Sequence, residues 1–180
     1  MSGRTLTLLM CSAAMACAPQ PQLDGKAIAE PSAPEIIRGL EIRRQYGQPI
    51  PVASSAIYVD SVAVHHTRSE GSTIVWLGAD GRWQWSQVSQ TGPGGLLDAE
   101  PRMDYTVTRQ LTDEESRTLE SLLADESLYR GEVRRTGAVG VGAPFHVMEI
   151  VTPKGQVVYR WDGRLRDKAG MIADLVLGAA

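Results

Sequence analysis

Residues 73–85 have the sequence TIVWLGADGRWQW, the clearest structural signal in the chain. The β-branched and aromatic residues on both sides of Asp80-Gly81 are typical of two antiparallel strands, and Asp-Gly favours a tight type I′ turn between them. In the register that this turn predicts, Trp76 faces Trp85, and Trp83 lies two residues from Trp85. The three indoles would then share one face of the hairpin, where they form a candidate binding surface for a small ligand or a glycan.

A second hairpin is predicted towards the C-terminus. Residues 145–152 and 156–161 are strand-like, and Pro153-Lys154-Gly155 between them supplies turn residues. The predicted register surrounds Glu149 with apolar side chains, which makes this carboxylate a speculative functional group. Its predicted neighbours are Val147, Val151, Tyr159 and Trp161.

The remaining patterns define the fold class. Strands are expected over residues 56–66 and 103–107. A capping box at Thr112–Glu115 starts one helix, and a second helix runs from about Leu165 to Leu177. We therefore predict an α+β fold in which an antiparallel sheet of about five to six strands carries two helices packed on one face. Residues 35–46 have the spacing of a further short amphipathic helix.

The N-terminus is predicted to be an export signal. Residues 1–16 carry one charge, Arg4, followed by an apolar stretch that is too short to span a bilayer. Ala13-Ala14-Met15-Ala16-Cys17 resembles the lipobox of bacterial lipoprotein precursors, which have a type II signal peptide. That resemblance implies cleavage before Cys17 and its acylation as a membrane anchor. Because Ala18 follows the cysteine, it also implies an outer-membrane location facing the periplasm. Cleavage at Ala14-Met15-Ala16 by an ordinary signal peptidase, giving a soluble periplasmic or secreted protein, stays open.

The distribution of prolines and aromatic residues divides the mature chain into two parts. Prolines are concentrated in residues 19–51, whereas the aromatic residues lie almost entirely beyond residue 55. We predict a signal peptide at 1–16, a lipid-anchored Pro-rich tether at 17–55 and a small α+β domain at 56–180.

Several functional classes are disfavoured by composition. The formal net charge is −3 and the basic residues are not clustered, so no nucleic-acid partner is predicted. Both cysteines lie within the first 17 residues, so we expect no disulfide framework in the domain. Adjacent strand residues point to opposite faces, so His65-His66 is a poor metal pair. We predict no metal and no cofactor.

The chain also shows no recognisable catalytic constellation, and we predict that it is not an enzyme. No Gly-x-Ser-x-Gly or Ser-x-x-Lys motif is present. Besides Glu149, His146 is the one speculative chemical group. Arg134 and Arg135, in a Gly-rich segment, complete the candidate binding surface because guanidinium groups bind anions and carboxylates.

From Ile74 onward the order of elements resembles emfourin-type domains, small bacterial inhibitors of thermolysin-like metalloproteases. The shared features are the early hairpin, the Leu111-Thr112-x-x-Glu115 helix start, the Leu119-x-x-Leu122-Leu123 stripe and the closing hairpin and helix. The resemblance implies a similar fold, but it places no inhibitory residue on this chain. The sequence therefore predicts a non-catalytic, lipid-anchored envelope protein that binds another envelope protein, with protease inhibition as one specific version.

Overall fold

The computed structural model describes residues 28–45, 47–48, 50–62, 70–91, 102–105, 108–130, 133–135 and 145–178. Within these ranges only the backbone is described for residues 62, 70, 90–91, 102–105 and 133–135. The predicted signal peptide, Cys17 and the His65-His66 pair lie outside the described residues.

The described residues contain three α-helices, one short 3-10 helix and eight strands. The helices are α1 (Pro34–Gln45), α2 (Asp113–Leu123) and α3 (Lys168–Gly178), and the 3-10 helix is Glu126–Tyr129. The strands are β1 (Ala56–Val62), β2 (Glu70–Leu77), β3 (Trp83–Thr91), β4 (Arg102–Tyr105), β5 (Arg109–Gln110), β6 (Val133–Arg135), β7 (Phe145–Thr152) and β8 (Gly155–Asp162).

All eight strands belong to one sheet, with the order β4-β3-β2-β1-β7-β8-β6, and β5 pairs with β3 beside β4. Six strands form the antiparallel body of the sheet, while the two-residue β5 and the three-residue β6 extend it. The β6–β8 pair is parallel. The predicted α+β class with an antiparallel sheet is therefore confirmed.

Helices α2 and α3 pack on one face of the sheet, as expected. The Leu stripe of α2 (Leu119, Leu122 and Leu123) is buried in this main core. The capping box forms as predicted, with the Thr112 hydroxyl accepting from the Glu115 amide and the Glu115 carboxylate accepting from the Thr112 amide. The aromatic side chains of the main core are Trp83, Trp85, Tyr159 and Trp161.

The opposite face of the sheet is covered by residues 28–45, which we call the strap. The strap consists of an extended lead-in and α1, and it buries Ala33, Ile36 and Leu40 against β1, β2 and β7. These residues fall within the predicted tether, so the described part of the domain begins earlier than residue 56. The strap packs on the sheet because Ile36 and Leu40 lie on one side of α1 and form an apolar stripe.

The first hairpin has a register one residue away from the predicted one. Its loop is Ala79-Asp80-Gly81, with the Gly78 amide donating to the Arg82 carbonyl at 2.8 Å and Leu77 opposite Trp83. Gly81 has a φ of +77°, as expected when a type I turn is closed by a left-handed residue. The loop is therefore one residue longer than a type I′ turn.

The second hairpin has a loop that is one residue shorter than predicted. Its loop contains only Pro153-Lys154, so Thr152 pairs with Gly155 and Glu149 pairs with Val158 instead of Tyr159. Because side chains alternate between faces, this shift places Glu149 on the strap side of the sheet. Tyr159 lies on the opposite, α2–α3 side.

Candidate binding groove

The predicted tryptophan surface does not form. Trp85 and Trp83 are buried in the main core, where their indole N–H groups donate to the Val176 carbonyl at 2.8 Å and to the Glu120 carboxylate at 3.2 Å. Trp76 lies on the other face of the sheet, half-buried beside the strap core. The extra loop residue in the first hairpin causes this separation, since a one-residue slip exchanges the faces of a strand. An exposed three-tryptophan platform for glycans is thus contradicted.

Glu149 is fully buried, as the sequence suggested, but its carboxylate is occupied by structural contacts. It accepts hydrogen bonds from the Ser32 amide at 2.7 Å, the Ser32 hydroxyl at 2.8 Å and the Ala33 amide at 2.8 Å. The side-chain amide of Gln156 donates to it as well. Since Ala33 directly precedes α1, the carboxylate caps this helix from another element. Glu149 therefore holds the strap on the sheet.

A second buried contact fastens the C-terminal end of the strap to the sheet. Arg43 is completely buried and donates to the hydroxyls of Ser72 and Ser86 at 3.1 and 3.2 Å, and to the carbonyl oxygens of both residues. Burial lowers the pKa of Arg43 to about 10, while the Asp60 carboxylate acts in the opposite direction. Gly39 provides room for Asp60, because a Cβ atom at this position would overlap an Asp60 carboxylate oxygen.

His146 lies beside Ser61 and Trp161. Its Nδ1 lies 2.9 Å from the Ser61 hydroxyl, and its ring stacks on Trp161 with 5.2 Å between the ring centroids. Burial lowers the pKa of His146. Ser61 and His146 face each other directly in the β1–β7 ladder, so the contact follows from strand pairing.

The two arginine candidates have backbone positions only. Arg134 and Arg135 belong to β6, where they pair with Arg160 and Trp161 of β8. They lie at the edge of the sheet, and the described structure does not bring them together with Trp76, Trp83 and Trp85 of the predicted surface. Cys17 lies outside the described residues.

The structure contains an open groove that the sequence did not single out, and we call it the strap groove. It has a volume of about 510 Å³ and lies between the strap and residues 50–52. Its buried floor includes Leu40 and Tyr58. Three large apolar side chains at its rim are strongly exposed: Ile28 at 52%, Ile37 at 40% and Val52 at 62%.

The groove also contains polar groups. The Tyr58 hydroxyl donates to the Ala29 carbonyl at 2.6 Å, and burial together with the carboxylates of Glu149 and Glu30 raises the pKa of Tyr58 to about 12. Glu30 and Arg44, which carry opposite charges, also line the groove. The groove therefore offers mainly apolar contact area with one charge of each sign.

One signal in the sequence could have indicated the groove. Residues 28–52 contain seven aliphatic residues of Ile, Leu or Val type spread among prolines and charges, more than an extended spacer needs. Ile36 and Leu40 form the buried side of α1, whereas Ile37 is adjacent to that side and exposed. The helical spacing in residues 35–46 predicts the helix that the structure shows as α1, whereas the proline content of residues 17–55 favours a tether.

Two further properties concern only the described residues. None of their helices is both long and apolar enough to cross a membrane. They also contain no group of three or more His, Cys, Asp or Glu side chains placed to hold a metal ion.

Comparison of the chain with protein-family models, curated proteins and solved structures found no match.

Proposed function

We propose that this protein is a lipid-anchored, non-catalytic component of a bacterial cell envelope whose folded domain binds another envelope protein through the strap groove. The observation that carries the proposal is the concentration of exposed apolar side chains. Of the four large apolar residues that are exposed in the described part of the chain, three line this groove. Apolar surface gathered at one place on a domain marks an interaction site.

The position of the groove suits a membrane-anchored protein. Ile28 at its rim lies eleven residues after Cys17, the proposed site of acylation. A chain of that length spans at most about 40 Å when fully extended. The groove would therefore stay close to the membrane surface, where an anchored domain meets membrane-bound partners at high local concentration.

A protein partner accounts for the shape of the site. The groove is partly open and three large apolar side chains along it are exposed, so it offers contact area to a large partner. The resemblance to emfourin-type domains makes an exported metalloprotease one specific partner to test.

The proposal is tested by in-cell crosslinking of the tagged full chain, capture from envelope extracts and quantitative mass spectrometry. The informative variant is Ile37→Asp, which places a charge on the rim of the groove. Met171→Asp is the matched control, because Met171 is 55% exposed on α3, on the opposite face of the sheet. We expect one partner in near-stoichiometric yield with the parent chain and the control, and at least a tenfold lower yield with Ile37→Asp. No partner, or equal yields with both variants, would overturn the proposal.

The anchor is tested separately by metabolic labelling with a radioactive fatty acid. We expect label on the parent chain and none on Cys17→Ser. Cys17→Ser should also recover less of the partner, because the local concentration at the membrane is lost. A parent chain without label would overturn the lipid anchor and leave the protein-binding part to be judged by the capture experiment.

A further inference from the structure

We infer that the strap groove receives an amphipathic α-helix of the partner protein and not an extended segment. This inference rests on the proposed function and specifies the chemistry of the partner surface. Recognition of a helix in an apolar groove depends on side-chain contacts, whereas strand addition depends on free main-chain groups of the receptor.

The backbone of the strap wall of the groove is already paired internally. The Ala29 amide donates to the Ala53 carbonyl at 2.7 Å, and the Glu30 amide donates to the Ile28 carbonyl at 3.0 Å. The Ala29 carbonyl accepts from the Tyr58 hydroxyl. This wall therefore has few main-chain groups to offer to an incoming strand.

Against the strap wall, an extended partner would bury main-chain groups without gaining hydrogen bonds from Ala29 or the Glu30 amide. A buried N–H or C=O left without a partner weakens binding, because its hydrogen bonds to water are lost and not replaced. A helix avoids this cost because its backbone hydrogen bonds are made internally. The rim residues Ile28, Ile37 and Val52 would pack against the apolar stripe of such a helix, whose contacts recur every three or four residues.

The two charges of the groove are consistent with the polar margins of an amphipathic helix. Glu30 and Arg44 both line the groove, so a partner with a basic and an acidic residue beside its apolar stripe would complement them. The preceding segment of the chain itself fits poorly. Residues 18–27 contain one large apolar side chain, Leu23, and carry the charges of Asp24 and Lys26.

Site-specific photocrosslinking in the full chain, in cells, tests the inference. The photoreactive amino acid p-benzoylphenylalanine replaces Ile28, Ile37 or Val52 one at a time, and replaces Met171 as the matched exposed control. All four side chains are at least 40% exposed, so folding should tolerate the changes. The crosslinked partner residues are mapped by mass spectrometry.

We expect adducts from the three groove positions in at least tenfold higher yield than from Met171, with partner residues spaced at i, i+3, i+4 or i+7. Partner residues spaced at i and i+2 would overturn the helical occupant and leave the proposed function standing. Adducts only with lipid, only with a second copy of this chain, or equally from Met171 would overturn both. A tag-captured partner that forms no adduct with any groove position would overturn both as well.

Discussion

The carboxylate of Glu149 accepts a 2.8 Å hydrogen bond from the backbone amide of Ala33, which lies 116 residues earlier in the chain. This contact joins the start of α1 to the central strand β7. A carboxylate that the sequence marks as a chemical candidate is therefore a cap for a distant helix, and it fixes the segment that forms one wall of the strap groove.

Removing the Glu149 carboxylate should destabilise the domain. Glu149→Ala leaves the amides of Ser32 and Ala33 without their buried acceptor, and we expect the free energy of unfolding to fall by about 2–4 kcal/mol. Glu149→Gln keeps one acceptor oxygen and should lose less. Urea unfolding measures both. Glu41→Ala, at an exposed position of α1, is the control and should change stability by less than about 0.5 kcal/mol. Equal stabilities of Glu149→Ala and the control would show that the cap contributes nothing.

Gly39→Ala should destabilise the protein although alanine is the better helix former. Helix propensity alone predicts a gain of about 1 kcal/mol. The new Cβ would overlap an Asp60 carboxylate oxygen, and Asp60 is buried and electrostatically coupled to Arg43. We expect a net loss of about 1–3 kcal/mol by thermal or urea unfolding. Gly178→Ala, where no atom lies within 4 Å of the added group, should be neutral or slightly stabilising. A stabilised Gly39→Ala protein would contradict the close packing of α1 on β1.

Alkaline pH should weaken the domain through Tyr58. Its pKa is about 12 in the folded protein and 10.0 for the unperturbed side chain, so the unfolded state loses this proton first as the pH rises. Stability from this group is fully present below pH 10 and declines through pH 12. Between pH 9 and 11 the parent chain should lose about 1 kcal/mol more than Tyr58→Phe, as measured by urea unfolding. Comparison with Tyr58→Phe cancels other titrations, including that of Arg43. Identical losses would mean that the Tyr58 hydroxyl is not buried as described.

The tryptophans should respond unequally to a water-soluble quencher. Trp83, Trp85 and Trp161 are buried, at 4%, 1% and 4% exposure, and Trp76 is half-buried. We expect Trp76→Phe to remove most of the acrylamide-accessible fluorescence, whereas Trp83→Phe leaves the accessible fraction unchanged. Equal effects of the two substitutions would favour the hairpin register in which all three indoles share a face.

Local signals were enough to predict most of the elements. The capping box of α2 depends on residues only three positions apart, and its Leu stripe depends on helical spacing. Both hairpins were located correctly because turn residues separate two strand-like runs in each. The α+β class follows from the order of these elements along the chain.

The predicted register of each hairpin was wrong by one residue. In the first hairpin, this error is the reason why the predicted tryptophan surface does not form. The Asp80-Gly81 sequence is compatible with a two-residue or a three-residue loop, and only packing of the whole sheet selects between them. Once the longer loop forms, Trp76 and Trp85 lie on opposite faces and the predicted platform is divided.

The strap and its groove could not be predicted from the sequence alone and became visible only in the tertiary structure. The sequence alone predicts the helical spacing of Ile36 and Leu40, the capping box and the turn residues. Each of these features depends only on residues a few positions apart in the chain. Whether residues 28–45 extend as a spacer or cover a sheet depends on contacts from Glu149 and Arg160, which reach Ala33 and Glu35 across 116 and 125 residues. Such contacts exist only after the sheet has formed, so the groove that the strap creates belongs to the folded protein alone.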